Sequence, residues 1–558
     1  MFGKVPTKII YNTEEYLVEK RFKLKDTLNS SATYTEIHPM VDATSIKNFK
    51  FQNNTTIVNI TRMSGITVIV DGENVILPDY YKVEGRINER TGIGSDGPTE
   101  YYIGFELCLP NEWNERFYFE GGGGSDGIIP PKIGIRKVGK IPALSRGFAT
   151  VATDGGHQGN TDCKFGYDQQ ARIDYGYNAI NQVTITAKSI IKNYYAKPPK
   201  YSYFMGASNG GRQALAMAQR FPGYFDGIVS GAPALNLTNA SIAEMWANQI
   251  FAKISKKDEN GRPLIHTAFS EADMKLVANT ILKQFDGDDG LKDGIILDMN
   301  AARKFDPSTL PRKTKNLPGL TDEQINALKL LFDGPKDSKG NVLYCNWPWD
   351  PGILDPEWRS WTLGTEECPP RNVSLGVESM ARVFTTPIPE KYDSSKALEW
   401  SLDYDFDTDP SNLVLSASFI NNVSTYLEPF RNLGGKLILY HGMADPVFSA
   451  YDTINYYDKL IDTNGGLKET QKFARLFLIP GMNHVEGGPA TDQFDALTAI
   501  QEWVEKDKAP TMIVAHGSKD KPFEDISRPL FPYPMQAVYN GRGDVKSAYS
   551  FVAKEPIK

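Results

Sequence analysis

Hydrophobic positions change rhythm several times along this chain. Up to about residue 95 they come in short runs separated by turn residues; Ile66-Thr67-Val68-Ile69-Val70, followed by Asp71-Gly72, is an extended segment running into a turn. From about 100 to 233, extended runs alternate with helical spacing. Phe148 to Thr153 reads as a strand ended by Asp154-Gly155-Gly156, and Ile180, Val183, Ala187, Ile190 and Ile191 then recur on one helix face. Tyr201 to Met205 reads as a strand, Gly210 to Phe221 as a helix with Ala214, Leu215 and Ala218 inward, and Ile228-Val229 as the next strand. Such alternation predicts an α/β core, a mainly parallel sheet with helices on both faces. Between about 234 and 425 the rhythm stops in a stretch rich in Asp, Pro and Trp. It resumes with the strands Lys436 to Tyr440 and Leu476 to Ile479 and a helix marked by Leu497, Ile500 and Val504. The expected organisation is an N-terminal β-rich segment, a β layer or an appendage (1–95), a core built from 96–233 and 426–558, and an inserted lid (234–425). An insertion at that point lies over the strand ends, where sheets of this kind bind ligands.

Composition narrows the function classes. The 558 residues are 41% hydrophobic and 11% aromatic, enough apolar surface for a sizeable core. A net charge of −7 without a concentrated basic face argues against nucleic-acid binding. No stretch approaches the roughly 20 apolar residues of a membrane-spanning helix, and the start MFGKVPTKII has no signal-peptide pattern. A cytoplasmic location is expected, with a processed secreted form as the alternative. Cys108, Cys163, Cys345 and Cys368 show no metal-like spacing; whether Cys345 and Cys368 pair is left open.

The chemistry centres on Gly206-Ala207-Ser208-Asn209-Gly210, a G-x-S-x-G motif between an expected strand and an expected helix. The flanking glycines allow the sharp turn that exposes a serine hydroxyl; the plain alternative is a glycine-rich turn with an idle serine. A serine nucleophile needs a base, and in this class the order is Ser, Asp or Glu, then His. Of six histidines, His38 and His157 precede the serine, His266 lies in the insertion, His441 precedes the best acid candidate, and His516 sits in a late segment without a glycine-rich loop. His484, in Pro480-Gly481-Met482-Asn483-His484 directly after a strand, is the expected base. Asp445, in His441-Gly442-Met443-Ala444-Asp445-Pro446, is the expected orienting acid, its loop leaving the neighbouring strand at the same sheet edge; Asp492 and Asp495 are competitors that follow the histidine. The amide of Asn209, the residue after the nucleophile, is one expected oxyanion donor, and the glycine run Gly121 to Gly124 after Phe117-Tyr118-Phe119 is the source of a second. A dinucleotide loop fails on spacing, since no G-x-G-x-x-G opens an amphipathic helix.

Two features of the insertion stay open at this level. The run from Asp286 to Ile295 clusters carboxylates on a glycine-rich turn and reads either as a solvated acidic turn or as a Ca²⁺ loop, although it is no EF-hand. Trp347, Trp349, Trp358 and Trp361 form the insertion's own core or wall a pocket for a flat substrate.

Together these residues resemble the tannase and feruloyl esterase family. The matching stretches are Arg90-Thr91-Gly92-Ile93, Trp113-Asn114 with the Gly121 run, Ala152 to His157, Ser202 to Arg212, Phe225 to Pro233, Trp358-Arg359-Ser360-Trp361, His441-Gly442-Met443, and Pro480 to His484 with Gly487-Gly488-Pro489. The resemblance implies an α/β-hydrolase fold with a large lid, the triad Ser208, Asp445 and His484, and oxyanion donors at Gly124 and Asn209. It implies a lid Ca²⁺ held by Asp286, Asp289 and Asp293 with the carbonyls of Leu291 and Ile295, and pocket walls at Trp361 and Phe448. Arg371 aligns with the lid arginine that grips a substrate carboxylate in terephthalate-cleaving members, but Gly376 and Leu375 stand where those members have a serine and a gating phenylalanine. Ala207 and Val485 occupy the places of the family's active-site disulfide, so packing must hold the two catalytic loops; this suits a reducing compartment. The expected activity is hydrolysis of small esters of aromatic acids, with acyl transfer to an alcohol by the same triad as the rival and a non-catalytic binding protein as a distant third.

Overall fold

The computed structural model describes residues 37–555 apart from 71, 160, 161, 299, 300 and 391; the expected turn residue Asp71 and the first 36 positions lie outside the described residues. The strands in chain order are β1 (Thr55–Met63), β2 (Thr67–Val70), β3 (Glu73–Ile76), β4 (Tyr80–Gly94), β5 (Gly97–Pro110), β6 (Arg116–Glu120), β7 (Ala149–Thr153), β8 (Tyr201–Ala207), β9 (Gly227–Gly231), β10 (Lys436–Gly442) and β11 (Ala474–Ile479). Nine of them form one sheet in the order β1-β4-β5-β7-β6-β8-β9-β10-β11; β2, the extended segment expected before Asp71-Gly72, pairs antiparallel with β3.

From β7 to β11 neighbouring strands are parallel. They are buried at nearly every position, as a sheet covered on both faces requires. One face carries the helices Ala179–Tyr194, Asn209–Arg220 and Ala450–Thr463, packed through Val183, Ala187, Leu215 and Tyr457. The other carries Ala496–Lys506, whose Leu497, Ile500 and Trp503 meet Tyr118, Tyr203 and Phe477. The expected α/β-hydrolase core is therefore present, with its elements close to where the periodicity placed them.

The N-terminal boundary needs correction. Residues 55–94 are no appendage: β1 and β4 extend the main sheet through antiparallel pairing with each other and with β5. A division at 95 cuts the β4–β5 hairpin at its turn, Gly94 facing Gly97. The alternation that marked these segments as strands arises because one side, including Val83 and Ile87, lies on the shared core while the other meets solvent.

The segment 234–425 is mainly helical, built around Leu237–Ile254 with Glu271–Phe285, Asp322–Asp333 and Pro356–Thr362 about it. Its core is not sealed off: Phe165 and Tyr175 from the sheet domain and Val447 and Phe448 from the loop after β10 belong to the same apolar cluster. The last residues form β12 (Ile513–His516) with β13 (Ser527–Leu530), and β14 (Gln536–Tyr539) with β15 (Phe551–Lys554). Ala537 and Phe551 pack on Ile295 and Leu297, so the C-terminal strands grip the acidic loop of the insertion. No helix among the described residues is long and apolar enough to cross a membrane.

Candidate active site

Four loops meet at the C-terminal edge of the parallel strands, following β6, β8, β10 and β11. This edge is where open α/β sheets place their chemistry. Ser208 sits between β8 and the helix Asn209–Arg220 at φ 62 and ψ −125. A non-glycine residue held there is strained, and the strain lifts its hydroxyl clear of the sheet. The motif's glycines have steric reasons: a Cβ at Gly206 would lie 2.4 Å from the Gly210 carbonyl, and one at Gly210 would lie 2.6 Å from that of Gly122.

His484 Nε2 stands 2.9 Å from Ser208 Oγ and its Nδ1 stands 2.8 Å from Asp445 Oδ2. The three residues expected from order and elimination are thus joined in one hydrogen-bonded series. Asp445 is 2% exposed, and its Oδ1 accepts from the amides of Val447 at 2.8 Å and Phe448 at 3.1 Å. Burial acts to raise its carboxyl, but the adjoining His484 and His441 outweigh burial and hold it well below the usual carboxylate range. The competitors are occupied elsewhere, Asp492 with Gly487 and Ser518 and Asp495 with Thr498 and Arg146.

The acid loop after β10 and the histidine loop after β11 are tied by backbone hydrogen bonds. Met443 donates to the Ile479 carbonyl at 2.9 Å and Ala444 to that of Met482 at 3.0 Å. At the places of the family's disulfide, Ala207 belongs to the apolar cluster against which Val485 packs. Val485 follows the catalytic histidine at φ 72, an unfavourable conformation for a β-branched residue. All four cysteines are free, Cys345 half-buried and Cys368 exposed, which answers the open pairing question.

In the glycine run after β6, the amides of Gly121, Gly122 and Gly123 are committed to Met205 O, Gln213 Oε1 and Asp126 Oδ1. Gly124 follows at φ +56 with open space where a Cβ would stand. Asn209 opens its helix, so its amide has no intrahelical acceptor. Asp126, 1% exposed, also accepts from Gln213 Nε2 at 2.8 Å and cross-links the glycine loop to the nucleophile helix; burial pushes its carboxyl up to about 7.

The tryptophans divide. Trp349 stacks on Phe332 at 3.9 Å and Trp358 is buried, both in the insertion's core. Trp347 donates to the Asp445 carbonyl at 3.2 Å. Trp361 and Phe448 stand in T-shaped contact with His484, with centroids 5.6 and 5.4 Å away. Exposed Arg371 places its guanidinium 5.3 Å from the centre of the Trp361 ring. Sequence reasoning missed Glu357, whose carboxyl burial pushes up to about 7 and which feels both His484 and Arg371. Its only signal was its place immediately before the Trp358 to Trp361 motif. It also set His441 aside as a base without seeing that the ring lies 3.2 Å from Asp445 Oδ2.

In the acidic loop, Asp286 Oδ1 accepts from the amides of Asp293 and Gly294, and Asp289 accepts from those of Leu291 and Leu297. Asp293 caps the Ile295 amide and pairs with buried Arg528. Among the described residues no group of three or more His, Cys, Asp or Glu side chains is drawn together as a metal ion would need.

A strained serine, an imidazole and a buried carboxylate in series on a parallel sheet, roofed by an insertion, define a serine ester hydrolase of the α/β type. The description "Tannase and feruloyl esterase" fits residues 88–554, and the chain belongs to that family. It is 40% identical to mono(2-hydroxyethyl) terephthalate hydrolase of Piscinibacter sakaiensis, over 86% of this chain and 85% of that one. It is 27% identical to a probable feruloyl esterase B-1 of Aspergillus oryzae, over 89% and 90% of the two chains. In fold it is similar to the crystal structure of feruloyl esterase B from Aspergillus oryzae, with a TM-score of 0.74 at 24% identity, covering 91% of this chain and 98% of that one.

Proposed function

We propose that this protein hydrolyses small esters of aromatic carboxylic acids through an acyl-enzyme on Ser208. The carrying observation is the Ser208–His484–Asp445 series at 2.9 and 2.8 Å, flanked by the Trp361 and Phe448 rings. Ser208 Oγ attacks the ester carbonyl while His484 Nε2 takes its proton. The resulting oxyanion is received by the amides of Gly124 and Asn209, and Asp445 steadies the imidazolium. Collapse returns the proton to the departing alcohol, leaving the acyl group on Ser208. A water molecule, deprotonated by His484, then attacks the acyl-enzyme and releases the acid. Water as acceptor agrees with the relatives, which are called hydrolase and esterase.

The aromatic rings beside the histidine favour a flat acyl group such as hydroxycinnamoyl, galloyl or benzoyl. For a terephthalate monoester, exposed Arg371 over Trp361 supplies a cation, but Gly376 offers no hydroxyl and instead faces the Glu244 carboxyl. Hydroxycinnamoyl and galloyl esters therefore rank ahead of terephthalate monoesters. An aromatic-ester panel with wild type and Ser208→Ala tests the reading. A loss of at least about a thousandfold in kcat is expected for the variant, and equal turnover by both proteins refutes it.

Ca²⁺ on the acidic loop is part of the proposal. Asp286, Asp289 and Asp293 with the carbonyls of Leu291 and Ile295 would hold it, and its role would be to brace the insertion. Hard oxygen donors suit that cation, although binding would have to draw together carboxylates that here face loop amides and Arg528; burial, with Asp293 and Asp286 adding repulsion, pushes the Asp289 carboxyl up to about 6, a burden a divalent cation relieves. Calorimetric Ca²⁺ titration of chelator-treated wild type and Asp289→Asn decides it, with no heat in wild type as the refuting result. Four free cysteines, and Ala207 and Val485 at the family's disulfide positions, support a reducing, cytoplasmic setting.

A further inference from the structure

Two imidazoles meet on one carboxylate. His441 is the sixth residue of β10 and is fully buried. Its Nε2 lies 3.0 Å from the Phe448 carbonyl and 3.2 Å from Asp445 Oδ2. A carbonyl and a carboxylate only accept, so the hydrogen must sit on Nε2. Its Nδ1 lies 2.8 Å from Thr453 Oγ1, a hydroxyl free to donate to a bare ring nitrogen. Asp445 thus takes two amides on Oδ1 and His484 on Oδ2, while the His441 Nε2–H given to the Phe448 carbonyl lies 3.2 Å from the same Oδ2.

We propose that His441 is a positioning residue of the catalytic centre: as the Nε2–H tautomer it holds Asp445 Oδ2 beneath His484 and draws off part of the carboxylate's charge. The same N–H fixes the Phe448 carbonyl, so one ring sets both the acid and the loop that carries a pocket wall. This rests on the serine-esterase reading of Ser208, Asp445 and His484 and adds a fourth member to it.

The consequence is a charge balance at His484. Without the His441 donor, Asp445 concentrates its charge on the His484 N–H, the imidazolium is favoured, and the neutral base appears only at higher pH. Other groups face this centre. Glu357 of the helix Pro356–Thr362, with Asp355 and Arg371 beside it, faces His484 and Asp445; Tyr344 faces Asp445 and Asp452. All are retained when only His441 is changed, so differences between variants report His441 alone.

The test combines His441→Phe, which keeps a ring and removes the donor, with His441→Gln, whose amide reaches the Nε2 position. Rates are normalised to serines labelled by a fluorophosphonate, so loss of folded protein does not count as loss of catalysis. For His441→Phe we expect kcat lowered about thirtyfold at nearly unchanged KM, and the acidic limb of kcat/KM moved up by about half a pH unit. His441→Gln returns the limb to its wild-type position and recovers most of kcat. A merely structural histidine would lower the labelled fraction and leave the limb in place, and that result overturns the proposal. Long-range ¹H–¹⁵N spectra of wild type with labelled histidine need no variant; an Nδ1–H tautomer at His441 also overturns it. Failure of the esterase reading would look different: wild type itself would resist labelling and leave aromatic esters intact, whatever tautomer the spectra report.

Discussion

Glu244, on the lid helix Leu237–Ile254, carries a carboxyl that the fold stores in its neutral form. It is 8% exposed and its Oε2 has no hydrogen-bond partner. It lines a cavity of about 30 Å³ with Asn372, Trp358 and Pro446. Burial pushes this carboxyl from 4.5 up to about 8, opposed only by a hydrogen bond from Ser241. Because the folded value is the higher one, the stability linked to this group is intact below about 4.5 and is lost as pH rises toward 8. At pH 7 the unfolded chain has released the proton and the folded one has not, a cost of about 3 kcal/mol, approaching roughly 5 kcal/mol above pH 8. Glu244→Gln keeps the volume and cannot titrate. Its amide adds an offset that does not vary with pH, so the informative quantity is the change in the stability difference between variant and wild type. Buried Asp126, Asp154 and Asp452, each pushed up to about 7, act equally in both proteins and cancel. Thermal and urea unfolding at pH 5, 6, 7 and 8 should show the glutamine variant gaining steadily on wild type, by about 3 kcal/mol or more across that range. A difference that stays flat from pH 5 to 8 would refute the reasoning, because Glu244 would then be ionised or hydrated in the folded protein.

Trp361→Ala removes a ring in T-shaped contact with His484, centroids 5.6 Å apart, and over which Arg371 lies; KM for aromatic esters should rise about tenfold while short aliphatic esters change little, read from steady-state kinetics. Asp126→Ala frees the Gly123 amide and the Gln213 side chain that hold the glycine loop; kcat should fall about a hundredfold at similar KM, with fluorophosphonate labelling slowed in parallel. Gly376→Ser places a Cβ 2.4 Å from Glu244 Oε2; it should lower stability by about 1–3 kcal/mol in urea unfolding, and Glu244→Ala in the same chain should recover most of that loss.

The spacing of apolar residues determined the strands β7 to β11, the helices that cover them and the place of the insertion, because burial on both faces of a parallel sheet leaves a local signature. Ser208 was legible because a G-x-S-x-G motif between a strand and a helix is itself a local pattern, although the demand for Gly210 comes from the Gly122 carbonyl of another loop. Asp445 and His484 followed from chain order and from the scarcity of histidine. What only the tertiary structure decided is pairing between distant segments. β1 and β4 alternate as any half-buried strand does, and nothing local says that they join the main sheet through β5. Trp347, Trp349, Trp358 and Trp361 look alike in sequence, yet of these Trp361 is the one whose ring packs against the catalytic histidine. His441 looked like a base in the wrong place until the loop after β10 folded its acid back onto it. Secondary structure is written in neighbours along the chain, whereas partners such as His441 Nε2 and Asp445 Oδ2 are chosen by how a loop closes in space, and residue spacing carries no record of that closure.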